Sequence, residues 1–134
     1  MKKFIFKRLK ELSVEVVVLN SEKNWADSYV SDWIIADTND HIAAMHAVKK
    51  YSAQKKIDGV ITFWEDDVLL TSKIASMLGV VGIPLEVAKI ARDKFKFRKF
   101  CEKEGLQVPK FFKFTDFESL QKAKSEIQFP VVIK

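Results

Sequence analysis

The 134-residue chain has one cysteine, four glycines and three prolines, and each scarcity removes a class of explanation. Cys101 has no partner for an internal disulfide, so the chain is not a disulfide-stapled secreted scaffold. Gly59, Gly79, Gly82 and Gly105 are scattered, with neither G-x-G-x-x-G nor Walker spacing. Without a glycine-rich loop, any phosphate contact falls to cationic side chains. The apolar runs are short, of the kind Val16-Val17-Val18-Leu19. None approaches the roughly 20 residues that a membrane-spanning helix requires. Met1-Lys2-Lys3 is followed only by Phe4-Ile5-Phe6 before Lys7 and Arg8, which is unlike a signal peptide. The expectation is a cytoplasmic chain with no membrane partner.

Hydrophobic residues make up 48% of the chain and charged residues 31%, an ordinary balance for a folded protein. The length suits one domain, or one domain and the opening of another. A net charge of +5 favours a polyanion, either nucleic acid or a nucleotide phosphate. Between Glu86 and Lys124 eleven Lys or Arg face six acids, concentrated in Lys94-Phe95-Lys96-Phe97-Arg98-Lys99-Phe100. This stretch reads in two ways. It is a basic, aromatic surface for a polyanion, or an amphipathic helix with Phe97, Phe100 and Cys101 inward.

Residues 3 to 12 read as a basic helix with Phe4, Ile5, Leu9 and Leu12 inward. Val14 to Leu19 follows as a buried parallel strand. Trp25 and Tyr29 anchor a polar connection, and residues 33 to 36 make a second strand ending at Asp37. Thr38, Asn39 or Asp40 caps a helix to about Lys55, with Ile42, Met45, Val48 and Tyr51 near one stripe. Residues 59 to 63 form the next strand, and Asp66 or Asp67 caps a helix that Gly79 terminates. Residues 80 to 83 add a strand, Pro84 opens a helix, Asp93 re-caps it and Gly105 ends it. This alternation has the period of crossover units, so a parallel sheet covered by helices is expected. Beyond Gly105, residues 110 to 114 alternate like a strand, and Thr115-x-x-Glu118 has the pattern of a capping box. Its helix points Phe117, Leu120 and Ile127 inward, and residues 129 to 134 form a final apolar strand.

Few residues suggest chemistry. His41 and His46 are five apart, about 140° around a helix, so they do not share a face as zinc ligands would. Cys101 on an apolar face is a plain buried thiol. Glu65 stands at the carboxyl end of a central strand, where α/β folds place ligands, and is the candidate substrate-binding residue. Lys134 ends a Val-Val-Ile strand, where a cation is poorly solvated unless it faces a cleft or an anion. On spacing alone it is equally a plain chain end.

Five stretches in order carry a resemblance: Asp58 to Asp67, Leu78-Gly79 with Gly82-Ile83-Pro84, Ala91-Arg92-Asp93-Lys94, Phe100 to Pro109, and Phe129 to Lys134. Together they resemble the front half of ATP-grasp ligases, a family that includes biotin carboxylase, carbamoyl-phosphate synthetase and amino-acid ligases. The Thr62-Phe63-Trp64-Glu65-Asp66-Asp67 stretch looks nearest to the amino-acid ligases. The resemblance implies an α/β fold in three parts. Residues 1–84 would be a Rossmann-like pre-ATP-grasp domain, 85–105 a helical bridge, and 106–134 the opening β-α-β of an ATP-grasp domain. It implies ATP with magnesium as cofactor, and a carboxylate activated as an acyl phosphate that an amine then attacks. By position, Lys94 and Lys134 match the two cations that contact the nucleotide phosphates, and Glu65 borders the substrate cleft.

The chain also departs from that pattern. Family members open on an apolar strand and a glycine-rich turn, whereas here Lys3 to Leu12 is already the first helix. The family's phosphate-covering loop and magnesium ligands follow the equivalent of Lys134. The expectation is therefore a fragment truncated at both ends and inactive alone, with a second chain as a possible supplier of the rest. The alternative is a stand-alone polyanion-binding or protein-interaction module of the same fold, and nucleic acid is not the expected partner.

Overall fold

The computed structural model describes residues 3–133. They form helices α1 (Lys3–Glu11), α2 (His41–Ser52), α3 (Val68–Leu78), α4 (Leu85–Arg92), α5 (Lys94–Lys103) and α6 (Phe117–Ala123). Strands β1 (Val17–Asn20) and β2 (Asp32–Ile35) lie between α1 and α2, and single 3-10 turns occupy Asp27–Tyr29 and Lys124–Glu126. The class is α/β with a parallel sheet, as expected. The chain divides into two compact units between Arg92 and Asp93.

In the first unit, β1 and β2 pair in parallel from Val17 opposite Asp32 to Asn20 opposite Ile35. The Ser31 amide donates to the Val16 carbonyl at 2.8 Å and the Ala36 amide to Asn20 at 3.0 Å, which extends the ladder at both ends. The core gathers Ile34 of β2, Ala44 and Val48 of α2, and Leu70 and Ile74 of α3. Its helices end where local chemistry requires. Asp40 accepts from the amides of Ile42 and Ala43 and so caps α2. At the end of α3, Gly79 adopts φ 67°, and the amides of Gly79 and Val80 donate to Ser76 and Ala75 in a Schellman turn. Ser13 ends α1 in the same way at φ 56°, without glycine's freedom.

Several expectations need correction. Among the described residues only β1 and β2 form a ladder. Among the described residues, 59–63 pair with no strand and 57–61 make no backbone–backbone hydrogen bond. Segment 80–83 is clasped to α3 instead, because Ser72 Oγ donates to the Ile83 carbonyl at 2.6 Å. On α2, Val48 is buried and Met45 and Tyr51 pack against the core as expected, but Ala44 is also buried and Ile42 is 85% exposed. In α1, Phe6 packs edge-on to Trp25 at 5.4 Å, and Phe4 and Leu12 face outward.

The second unit is built on α5. Asp93 accepts from the amides of Phe95 and Lys96 and caps it. A Schellman turn at Gly105, φ 72°, closes it, with the Leu106 amide donating to the Cys101 carbonyl at 2.9 Å. Cys101 is buried, but Phe97 and Phe100 are exposed, so the expected inward stripe is not formed. The packed ring is Phe95, edge-on to Phe111 at 5.6 Å. Residues 110–114 alternate as expected, with Phe112 stacked on Phe114 at 5.8 Å, yet no partner strand joins them. At α6, Asp116 rather than Thr115 is the cap and accepts from the Ser119 amide at 2.7 Å. Phe117 and Leu120 are exposed, and residues 129–133, which bend at 129 and 130, are exposed and join no ladder among the described residues.

Candidate functional site

The chain between the core and α3 turns sharply at Thr62. Its hydroxyl accepts from the Trp64 amide at 3.0 Å, and the Asp67 amide returns to the Trp64 carbonyl at 3.3 Å. The turn presents Glu65, Asp66 and Asp67 at the entry to α3, where the helix dipole stabilises negative charge. Asp67 occupies the cap position, yet its side chain accepts no capping bond. Helix entry therefore rests on the turn and not on a carboxylate cap.

Glu65 and Asp66 share one cation. Arg92, at the end of α4, places Nη1 2.7 Å from Glu65 Oε1 and Nη2 2.9 Å from Asp66 Oδ1. The planar guanidinium suits this two-carboxylate clamp where a lysine ammonium would not. Only 26% of the Arg92 side chain is exposed, whereas Glu65 is 73% exposed, so the clamp anchors an acidic edge that remains open to solvent. Arg92 received no individual role from the sequence. The 26-residue separation from Asp66 hides the pairing, and only the packing of α3 on α4 reveals it.

Lys94 is exposed at the first turn of α5, and among the described residues no carboxylate pairs with it. The neighbouring Asp93 carboxyl is held below its usual range, chiefly by the Lys96 amide and also by that of Phe95. Lys134 lies outside the described residues. Around α5 the cations are placed over rings. Arg98 and Lys99 lie 5.6 and 5.3 Å from the Phe111 centroid, Lys113 lies 5.6 Å from Phe95, and Lys110 lies 5.2 Å from Phe112. Each such contact contributes about 0.5–1 kcal/mol at an exposed position.

A second polar cluster was not legible in the sequence. Asp32, at the start of β2, accepts from Lys55 Nζ at 2.9 Å, Tyr51 Oη at 3.2 Å and the Trp33 amide at 2.9 Å. Lys55, followed by that amide and the Tyr51 hydroxyl, pulls the Asp32 carboxyl down to about 2. Tyr51 is raised, first by burial and then by Asp32, and Lys55 is raised by its bond to Asp32. The i, i+4 spacing of Tyr51 and Lys55 was the one available signal, but it does not name the carboxylate across the sheet. Lys73 Nζ lies 2.9 Å from His41 Nδ1, a polar contact that ties α2 to α3.

Among the described residues no group of three or more His, Cys, Asp or Glu is placed to hold a metal ion. No helix among them is long and apolar enough to cross a membrane.

Residues 6–82 match the ATP-grasp N-terminal domain. The chain belongs to the ATP-grasp family. This ATP-grasp chain is 26% identical, over 143 residues and 96% of its length, to the ATP-grasp enzyme fsqD of Aspergillus fumigatus, of which it spans 23%. Its fold is similar to that of the L-amino acid ligase from Bacillus licheniformis. The TM-score is 0.80 at 28% identity, covering 87% of this chain and 31% of that one. Phosphoribosylglycinamide synthetase from Anaerococcus prevotii shares the fold, with a TM-score of 0.70 at 17% identity, over 94% of this chain and 32% of its own. The ATP-grasp chain thus spans less than a third of these proteins' lengths.

Proposed function

We propose that this chain is the N-terminal part of an ATP-dependent carboxylate–amine ligase, and that amino acids are its substrate class. The observation that carries this reading is the likeness over 87% of the chain to an L-amino acid ligase, with a TM-score of 0.80. Such a ligase joins a carboxylate to an amine through an acyl phosphate. In this reading Lys94 and Lys134 contact the nucleotide phosphates, where cations offset the charge on the transferring phosphoryl group. Glu65 borders the substrate cleft, and Arg92 is a positioning residue that holds the Glu65 carboxylate on the acidic turn. Residues from about 106 open the ATP-grasp domain and 85–105 bridge to it. Magnesium and the loop that covers the phosphates come from polypeptide beyond this chain, which is inactive by itself. Its compartment is the cytoplasm.

The test is a chimera in which this chain replaces the corresponding first part of the Bacillus licheniformis ligase. Release of ADP that requires added amino acids, and that falls at least about tenfold in Lys94→Ala, is expected. A folded chimera whose ADP release ignores amino acids would overturn the assignment.

A second reading rests on the cations set over Phe95, Phe111 and Phe112. A basic surface with ring faces suits a single-stranded polyanion. Binding of a labelled oligonucleotide that weakens steeply with salt would favour that reading over the ligase.

A further inference from the structure

Lys73 and His41 form a basic pair that belongs neither to the acidic turn nor to the Asp32 cluster. Lys73 lies in the middle of α3, and a helical side chain runs back toward the start of its own helix. Its Nζ thereby reaches His41, the first residue of α2, and stops 2.9 Å from Nδ1. Both residues are half-buried. Because α2 follows β2, the pair stands toward the carboxyl end of that strand, the end at which α/β folds gather their ligands.

The fold does not balance the charge of this pair. Lys23, Lys55, Lys56 and Lys89 of the same unit each meet a carboxylate. Among the described residues no carboxylate forms an ion pair with Lys73 or His41. The acids nearest to His41 in the chain are engaged elsewhere. Asp40 Oδ1 accepts from the amides of Ile42 and Ala43, and Asp37 Oδ1 from the amide and side chain of Asn39. On α3 the positions three and four residues from Lys73 are Leu69, Leu70, Ser76 and Met77, none of them charged.

A half-buried ammonium has given up part of its hydration, and the imidazole beside it returns no full negative charge. An oxyanion supplies that charge. Lysine carries three donors, of which His41 can take one, and with the ring proton on Nδ1 the imidazole donates to the same acceptor. The start of α2 favours negative charge there as well. A cation would meet two basic groups, and an apolar molecule would leave the ammonium unpaired. We infer that Lys73 and His41 form an oxyanion site, which takes the carboxylate or phosphate group of a small molecule. Lys94, Lys134 and Glu65 have no part in it, so the site stands or falls apart from the ligase reading.

The test uses the full chain with nitrogen-15 in its imidazole rings, followed by NMR. It is titrated with inorganic phosphate and, separately, with acetate, at fixed pH and with chloride holding the ionic strength constant. His46, exposed on the same helix, is the internal control. The His41 ring signals should move saturably, with a midpoint of about 1 mM, for at least one of the two anions, while those of His46 stay in place. Saturation by phosphate alone assigns a phosphate-bearing ligand, by acetate alone a carboxylate, and by both a site that reads charge. Lys73→Met should weaken binding at least about tenfold, the loss expected for one charge-assisted hydrogen bond. Should that variant unfold, Lys73→Gln, which keeps a donor without the charge, should show the same loss. Equal movement of both histidines, a linear response without saturation, or unchanged binding in the folded Lys73 variant would overturn the site.

Discussion

Gly82→Ala should destabilise the first unit, and the structure sets the size of the effect. A Cβ at position 82 collides with the Ala75 Cβ on α3. Ordinary carbon contacts lie at about 3.5–4.0 Å, so the two atoms must separate by about 1 Å. Neither side gives easily. Ala75 is 1% exposed and follows buried Ser72 and Ile74 on its helix, and Ser72 clasps the Ile83 carbonyl at 2.6 Å. Overpacking of this kind costs about 1–3 kcal/mol. The φ of Gly82 lies outside the left-handed range, so no backbone strain is added. Replacing glycine also removes freedom from the unfolded chain, which returns about 0.4–1 kcal/mol. The net is a loss of about 1 kcal/mol, or about 4–8 °C in Tm for a unit of this size. Gly59→Ala is the matched control. Nothing lies within 4 Å of its Cβ and its φ is equally unrestricted, so it should gain about 0.4–1 kcal/mol by the same unfolded-state effect. Urea unfolding followed by far-UV circular dichroism gives both numbers. In a Ser72→Ala background the Gly82→Ala penalty should shrink, because residues 80–83 are then free to lift. Equal stability of the Gly82→Ala and Gly59→Ala proteins would refute the argument.

Asp32 governs acid stability. Its carboxyl titrates near 2 in the fold against 3.8 in the open chain, so its contribution is complete above about pH 4 and is lost as pH falls toward 2. Asp32→Asn should flatten the stability profile in that window and leave the slope above pH 5 unchanged, as urea midpoints across pH would record. Ser13→Gly relieves a left-handed residue at φ 56° and should raise stability by about 0.5–1 kcal/mol, whereas Ser13→Val should lower it. Arg92→Met should release Glu65 and Asp66, and the change should appear as higher side-chain mobility of both carboxylates in NMR relaxation with little loss of stability, because both acids are exposed. Calorimetric titration of the chain alone with Mg-ATP should give no saturable heat; micromolar binding that Lys94→Ala abolishes would contradict the expected inactivity.

The readable parts of the fold are those decided by short-range chemistry. Asp40 and Asp93 cap their helices because an Asx side chain reaches amides two and three residues on. Gly79 and Gly105 end helices because the left-handed turn favours a residue without Cβ. The Val-rich stretch before Asn20 and the Trp-Ile-Ile stretch pair as a parallel ladder, the second within a residue of where its pattern places it and the first beginning three residues later, at Val17. What was not readable depends on partners distant in the chain. Arg92 and Asp66 meet 26 residues apart, and Asp32 and Lys55 meet 23 apart. Helix periodicity could not tell that Ala44, and not Ile42, faces the core, since both fit an apolar stripe and the close approach of α3 to α2 favours the smaller side chain. Residues 59–63 show the limit most clearly. Their composition is that of a buried strand, and a strand exists only through its neighbour, so the pattern that reads as β in isolation forms no ladder among the described residues. Local sequence thus records a preference for extended chain, while a ladder needs a neighbour that the residues themselves do not name.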